Sequence, residues 1–172
     1  RQREGQLKGP VVGTVMSNLG LERALDKHNI AFRRASVGDR YVLDMLYESG
    51  GIIGGESSGH LICLDCTTTG DGLIAGLQVL AVMKRTGKTL SELCNGMDKY
   101  PQKILNVWTK NKLDPSKSSK IQDAIRQAEK ELADSGRVVL RASGTEPVIR
   151  VMIEGEKESQ ILPLVERLAA VV

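Results

Sequence analysis

Short apolar runs alternate with amphipathic segments over the first hundred residues, and this alternation limits the folds open to the chain. Strand-like runs at 11–15, 31–35, 52–53 and 61–64 are separated by segments whose apolar residues recur at helical spacing. Strands that alternate with helices are typical of a layered α/β structure. The sequence therefore predicts a three-layer α/β domain with a mostly parallel sheet.

The alternation ends near residues 95–101, where we place a domain boundary. Beyond it the pattern predicts a strand, a helix, two strands around residues 141–150 and a last helix. We therefore expect a first domain over residues 1–98 and a second over residues 99–172. The second is expected to be a smaller α+β unit of order β-α-β-β-α.

Composition and charge exclude several classes of function. The chain has 24 basic and 21 acidic residues, a balance of +3 that is too mild for a nucleic-acid-binding surface. No apolar stretch approaches the roughly 20 residues of a membrane span, and no signal peptide is evident. Three cysteines, an odd number, indicate a reducing compartment. We expect a cytoplasmic protein with neither nucleic acid nor membrane as a partner.

The cysteines do not predict a metal centre. Cys63 and Cys66 form a C-x-x-C pair, but they lie in a strand-like run where a separation of three places them on opposite faces. Cys94 is the only other thiol, too few for a four-ligand zinc site. We therefore expect buried free thiols and no bound metal.

The polar turn between the two strands of the second unit reads R-A-S-G-T-E-P-V-I-R and has the groups needed to bind phosphate. Arg141 and Arg150 each offer a planar fork of donors that matches phosphate oxygens. Ser143 and Thr145 add hydroxyl donors, and Gly144 allows backbone N–H groups to turn inward as an anion nest. The turn predicts a phosphate-binding loop; the alternative is an ordinary hairpin turn with incidental surface arginines.

A second polar loop, G-G-E-S-S-G-H at residues 54–60, has groups suited to a sugar. Glu56 can accept hydrogen bonds from two neighbouring hydroxyls, and Ser58 can both donate and accept. His60 belongs to the residue type that titrates near neutral pH. These residue types favour a sugar-binding loop; the alternative is a tight turn with a capping serine and a structural histidine.

Together, GGESSGH and RASGTEPVIRVMIEG resemble the C-terminal half of the α-D-phosphohexomutases. Three further segments, VVGTVMSNLG, VGDRYVLDML and TTTGDGLIAGLQVL, follow the family pattern in order, so the resemblance covers nearly the whole chain. Within the family, the bacterial members that act on hexosamine phosphates are the most similar. The resemblance implies an intact enzyme of four domains, with this chain supplying the third and fourth.

The resemblance also implies roles for the residues of both loops. Glu56 and Ser58 would contact sugar hydroxyls, and His60 would lie beside the reacting part of the substrate and could assist catalysis. Asp39 and Arg40 would also face the sugar. The phosphate that is not being transferred would be held by Arg141, Ser143, Gly144, Thr145 and Arg150.

The chemical groups that react in this family are not in this sequence. The family nucleophile is a phosphoserine of the first domain, and a DGDGDR-type loop of the second domain holds Mg²⁺. Asp39 and Asp71 stand singly and are interpreted as helix caps, because a divalent ion needs several carboxylates together. We therefore expect no catalytic residue proper and no metal ligand here, and the chain alone is expected to be inactive.

The implied activity of the intact enzyme is an isomerase reaction by internal phosphoryl transfer. A hexosamine 6-phosphate and its 1-phosphate would interconvert through a bisphosphate, with Mg²⁺ as cofactor, supplying UDP-N-acetylglucosamine for cell-wall synthesis. The expected partners are the substrate, the N-terminal domains and a second copy in a homodimer. Two alternatives stay open: activity on glucose or mannose phosphates, and a non-catalytic phosphosugar-binding module.

Overall fold

The chain forms two compact units, Arg1–Asp98 and Lys99–Val172, in a computed structural model that describes residues 1–110, 114–143 and 146–172. The first unit mixes helices with a four-stranded sheet, and the second combines a three-stranded sheet with helices. The predicted fold class, an α/β domain followed by a smaller α+β domain, is confirmed.

The first unit contains four strands and four helices. These are β1 (Val11–Thr14), α1 (Leu19–Asp26), β2 (Phe32–Ala35), α2 (Asp39–Ser49), β3 (Ile53–Gly55), β4 (Leu61–Cys63), α3 (Gly72–Thr86) and α4 (Leu90–Cys94). The sheet order is β2-β1-β3-β4. β1 runs parallel to β2 and β3, whereas β3 and β4 form an antiparallel hairpin. The sheet is thus mostly parallel, with one antiparallel edge strand.

Helix α2 packs closely on the centre of this sheet. Val42 and Leu46 of α2 are fully buried and form a core cluster with Val12 of β1 and Ile62 of β4. A Cβ atom on Gly54 would lie only 2.7 Å from Cγ1 of Val42, so glycine allows the helix to approach β3. This close packing fixes the first turn of α2 near the loop that joins β3 to β4.

The second unit follows the order β-α-β-β-α. Its elements are β5 (Gln102–Trp108), α5 (Ser119–Leu132), β6 (Gly136–Ala142), β7 (Val148–Gly155) and α6 (Glu158–Val171), with short 3₁₀ turns at Pro115–Lys117 and Ala133–Ser135. The sheet order is β5-β7-β6, and both pairs are antiparallel.

Strand β7 is the centre of the second unit and separates two different faces. Ile149, Val151 and Ile153 are buried in the cluster that also contains apolar residues of α5 and α6. Because side chains alternate along a strand, Arg150 and Met152 lie on the opposite face. The arginine of the phosphate loop therefore points away from the helices.

The predicted cap residue is correct for helix α3 but not for helix α2. Asp71 caps α3, since its carboxylate accepts hydrogen bonds from the N–H groups of Leu73 and Ile74 at 2.8 and 2.9 Å. The prediction that Asp39 caps α2 is wrong: the cap residue is Gly38, with φ +130°, and Asp39 is the first helical residue. A left-handed φ at this position favours glycine and moves the aspartate one place into the helix.

Candidate functional site

The predicted phosphate loop joins β6 to β7. The N–H of Ser143 donates to the carbonyl oxygen of Val148 at 2.8 Å, which carries the strand ladder one step beyond the ends of the strands. The hydroxyl of Ser143 accepts a hydrogen bond from the N–H of Glu146 at 3.3 Å. Gly144 and Thr145, two of the predicted phosphate ligands, lie outside the described residues.

Arg141 and Arg150 are directly opposite each other in the β6–β7 register and therefore share a face of the sheet. Directly opposed residues have Cβ atoms about 4.5–5.5 Å apart, where like charges destabilise the pair. On the other side of β7, Asn106 of β5 is opposite Arg150 and supplies no negative charge. This cross-strand row of Arg141, Arg150 and Asn106 contains two cations and no carboxylate.

The surroundings of this arginine pair do not neutralise it. Nε of Arg141 is buried and has no hydrogen-bond partner among the described residues. The row two residues further along the same face is apolar, with Ile104 opposite Met152. The next acid on that face, Glu154, forms an ion pair with Arg137. The pair therefore has the charge and the free donor needed to bind an anion.

The predicted sugar loop is a tight turn between β3 and β4. The N–H of Glu56 donates to the carbonyl oxygen of His60 at 2.8 Å, and the N–H of Gly59 donates to that of Glu56 at 3.1 Å. Gly59 has φ +97°, a conformation that L side chains rarely adopt. The turn therefore holds Glu56 and His60 at its two ends, close to each other.

A hydrogen bond from a backbone amide links Glu56 to the start of helix α2. Oε1 of Glu56 accepts a hydrogen bond from the N–H of Gly38 at 2.9 Å. A carboxylate at a helix N-terminus also interacts favourably with the helix dipole. Sequence reasoning gave Gly38 no role in the site, because its contribution is a backbone N–H; the only sequence signal was a glycine directly before the helix.

His60 lies between Asp39 and Gly70. Nε2 of the imidazole is buried, has no hydrogen-bond partner among the described residues and is 3.7 Å from Oδ2 of Asp39. A Cβ atom on Gly70 would lie 1.9 Å from this nitrogen, so a larger residue there would require the ring to move. Gly70 was also missed by the sequence analysis, since an absent side chain carries no chemical signal of its own.

The structure brings together three of the five predicted sugar-binding residues. Asp39, Glu56 and His60 meet where the β3–β4 turn touches the start of α2. Ser58 is exposed in the same turn. The side chain of Arg40 is 86% exposed, and its described contact is with Asp44, with Nε 3.8 Å from Oδ2.

The described residues contain no group of three or more His, Cys, Asp or Glu side chains that could hold a metal ion. All three cysteines are free, and Cys63 is buried, whereas Cys66 and Cys94 are exposed. The expectation of buried thiols is therefore wrong for two of them, because the chain turns outward after β4 and α4 ends at the surface. Within the described ranges, no helix is both long and apolar enough to cross a bilayer.

Comparison with known protein families shows which family the chain belongs to. Residues 1–100 match the phosphoglucomutase/phosphomannomutase alpha/beta/alpha domain III, and residues 104–171 match the C-terminal domain of the same family. The chain belongs to this family. Both loops described above thus lie in phosphohexomutase domains.

Two relatives and one solved structure illustrate this membership. The phosphoglucosamine mutase of Methylococcus capsulatus is 55% identical over all 172 residues, and that of Marinobacter nauticus is 52% identical. The chain spans 38% of the length of each relative. The structure of Aspergillus fumigatus N-acetylphosphoglucosamine mutase in complex with GlcNAc-6P and magnesium has the same fold, with a TM-score of 0.80 and 19% identity over 97% of this chain and 42% of that chain.

Proposed function

We propose that this chain is the substrate-binding half of a phosphoglucosamine mutase, an isomerase that interconverts glucosamine 6-phosphate and glucosamine 1-phosphate. Relatives of that name are more than 50% identical to it, and they are longer than the chain. The phosphoserine that exchanges its phosphoryl group with the sugar would lie in the part of the enzyme beyond this chain, and the reaction would pass through a bisphosphate. Such an enzyme supplies the amino sugar of UDP-N-acetylglucosamine.

One observation carries the proposal for the second unit: the directly opposed Arg141 and Arg150, with the buried, unpartnered Nε of Arg141. A phosphate dianion would remove the repulsion between the guanidinium groups and supply the missing acceptor. Hydrogen bonds to charged groups contribute about 1.5–3 kcal/mol each. We propose that these arginines hold the phosphate that is not being transferred, together with Ser143, Gly144 and Thr145.

In the first unit, the turn at Glu56 and His60 would bind the sugar ring. Oε1 of Glu56 is already hydrogen-bonded to Gly38, which fixes the carboxylate and leaves Oε2 for sugar hydroxyls. Ser58 is exposed and can reach a ligand hydroxyl. The unpartnered Nε2 of His60 would face the reacting part of the substrate and could donate or accept a proton there.

Magnesium would be held by the remainder of the enzyme. The described residues offer no cluster of carboxylates, and a divalent cation of this kind prefers several oxygen ligands. The donor set of this chain therefore does not fit a magnesium site. Its residues would bind and orient the phosphosugar and exclude water from it, which protects a phosphorylated nucleophile from hydrolysis.

The proposed function is tested by the substrate preference of the intact enzyme that carries this C-terminal half. We expect kcat/KM to be highest with glucosamine 6-phosphate when glucosamine, glucose and mannose phosphates are compared. A higher kcat/KM with a neutral sugar would replace the proposal with phosphoglucomutase or phosphomannomutase activity. Absence of turnover with all three sugars would overturn it.

A further inference from the structure

The carboxylate of Asp39 lies beside the sugar loop and has one oxygen left for a ligand. Oδ1 of Asp39 accepts a hydrogen bond from the N–H of Arg40 at 2.8 Å. Oδ2 is 3.7 Å from Nε2 of His60, beyond hydrogen-bond distance. The side chain is 59% exposed, so this oxygen is accessible to a ligand held by the loop.

Two carboxylates, those of Asp39 and Glu56, lie close together beside His60, which pairs with Asp39 when it is protonated. Glu56 is tied to the residue directly before Asp39, which places a second carboxylate in the same small region. Within the described part of the chain, no ion pair joins a lysine or arginine to either carboxylate. The nearest guanidinium in sequence, that of Arg40, is directed to Asp44. A cation would therefore be favoured here.

We infer that Asp39 is a specificity-determining residue that recognises the ammonium group of an amino-sugar phosphate. This inference rests on the proposed function, since it assumes that the turn at Glu56 binds the sugar. A sugar phosphate with a free amine carries a cation that complements the carboxylate of Asp39. A neutral hydroxyl at the same carbon would form only a weaker hydrogen bond with the carboxylate.

Asp39 is better placed for this role than Glu56. Oε1 of Glu56 is engaged by the Gly38 amide, and the remaining oxygen is needed for hydroxyls if Glu56 holds the ring. Asp39 occupies the first position of a helix, where the fixed backbone limits the places that its short side chain can reach. Discrimination of charge is thus assigned to Asp39 and orientation of the ring to Glu56.

The inference is tested with Asp39→Asn in the intact mutase, assayed with glucosamine 6-phosphate and glucose 6-phosphate at a pH at which the amine is protonated. We expect the ratio of kcat/KM for the amino sugar to that for glucose to fall about 10-fold, the size of one charged hydrogen bond. Asp44→Asn removes the same charge one turn further along α2 and is expected to leave the ratio unchanged. Asp39→Glu, which keeps the charge, should retain most of the preference.

The outcomes are distinct. An unchanged ratio in Asp39→Asn, or an equal loss with both sugars, would overturn the inference while leaving the proposed function intact. An equal shift of the ratio in Asp44→Asn would also overturn it, because it would indicate a long-range charge effect instead of contact. Failure of the unmodified enzyme to act on either sugar would overturn the proposed function, and the inference with it.

Discussion

At the level of single residues, Arg141 and Arg150 lie directly opposite each other in the folded chain, although their like charges repel. Opposed like charges in an antiparallel pair destabilise the sheet, and a buried guanidinium nitrogen that has no partner among the described residues adds to this. Functional sites often lower the stability of a folded protein, because their groups are positioned to bind a ligand and not to stabilise the free protein. Stability and binding should therefore respond oppositely to substitution here.

We expect Arg141→Met to raise the free energy of unfolding by about 0.5 kcal/mol, since it removes the repulsion while methionine keeps the packing of the side-chain stem. Affinity for a phosphosugar should fall in the same variant. Urea denaturation and calorimetric titration measure the two effects. Arg126→Met, at an exposed residue paired with Asp123 on α5, is the control for binding and should leave the affinity unchanged. A loss of more than about 1 kcal/mol in Arg141→Met would show a structural role.

The three thiols should differ in reactivity. Burial is the main cause that raises the pKa of the Cys63 thiol above its ordinary value, and the carboxylate of Asp65 raises it further. Less of the reactive thiolate is then present at a given pH. Alkylation at mildly alkaline pH, followed by mass spectrometry, should label the exposed Cys66 and Cys94 first. Labelling of Cys63 at the same rate would contradict this expectation.

The site residues differ in how far the sequence could reveal them. Carboxylates, hydroxyls and arginines in two polar loops could be selected because their functional groups carry the chemistry, and Glu56 and His60 do lie together. Gly38 and Gly70 could not, because one contributes a backbone N–H and the other only space. Arg40 was assigned to the sugar by the family resemblance, but its guanidinium is directed to Asp44.

At the level of elements, β7 organises the second unit because it pairs with a strand on each side. One face of β7 packs on two helices, and the other carries Arg150, the arginine that is proposed to bind phosphate. The position of Arg150 thus depends on the apolar face behind it. Substitution of a fully buried residue on that face tests how much this packing stabilises the unit.

We expect Ile153→Ala to lower the free energy of unfolding by about 3 kcal/mol, because it leaves a cavity at a fully buried position. Ile104→Ala on β5 removes the same atoms from a side chain that is 44% exposed and should cost less than about 1 kcal/mol. Chemical denaturation monitored by circular dichroism gives both values. An equal loss of unfolding free energy in the two variants would show that the two faces of the sheet are packed alike.

Helix α3 shows why an apolar pattern does not reveal burial. Its spacing predicts that Leu77 and Leu80 point inward, but each is 58% exposed, and no residue of α3 is buried. Periodicity identifies the face of a helix that would gain from burial, whereas burial itself depends on what packs against that face. The same spacing succeeds for α5, where Ala128 and Leu132 belong to the core of the second unit.

At the level of the whole molecule, the order of strands and helices was predictable because each period is a local property of the sequence. The antiparallel edge strand β4 depends on a turn with Gly59 at positive φ, and the strand pattern alone does not specify its direction. Activity is a property of a longer protein if the proposed function is correct, because the chain spans 38% of the length of its relatives.

We expect the 172-residue chain alone to show no turnover of glucosamine 6-phosphate, since the nucleophile is proposed to lie outside it. A coupled assay for glucosamine 1-phosphate measures this, with the intact enzyme as the positive control. Turnover by the isolated chain above the rate without protein would contradict the proposed division of roles.

The affinity of the intact mutase for glucosamine 6-phosphate, measured by calorimetry for Arg150→Ala, tests the phosphate-loop assignment most directly. One lost arginine–phosphate contact should weaken binding about 10- to 100-fold. Arg126→Ala removes an exposed arginine of the same unit and should bind as the unmodified enzyme does. An unchanged dissociation constant in Arg150→Ala would contradict the assignment.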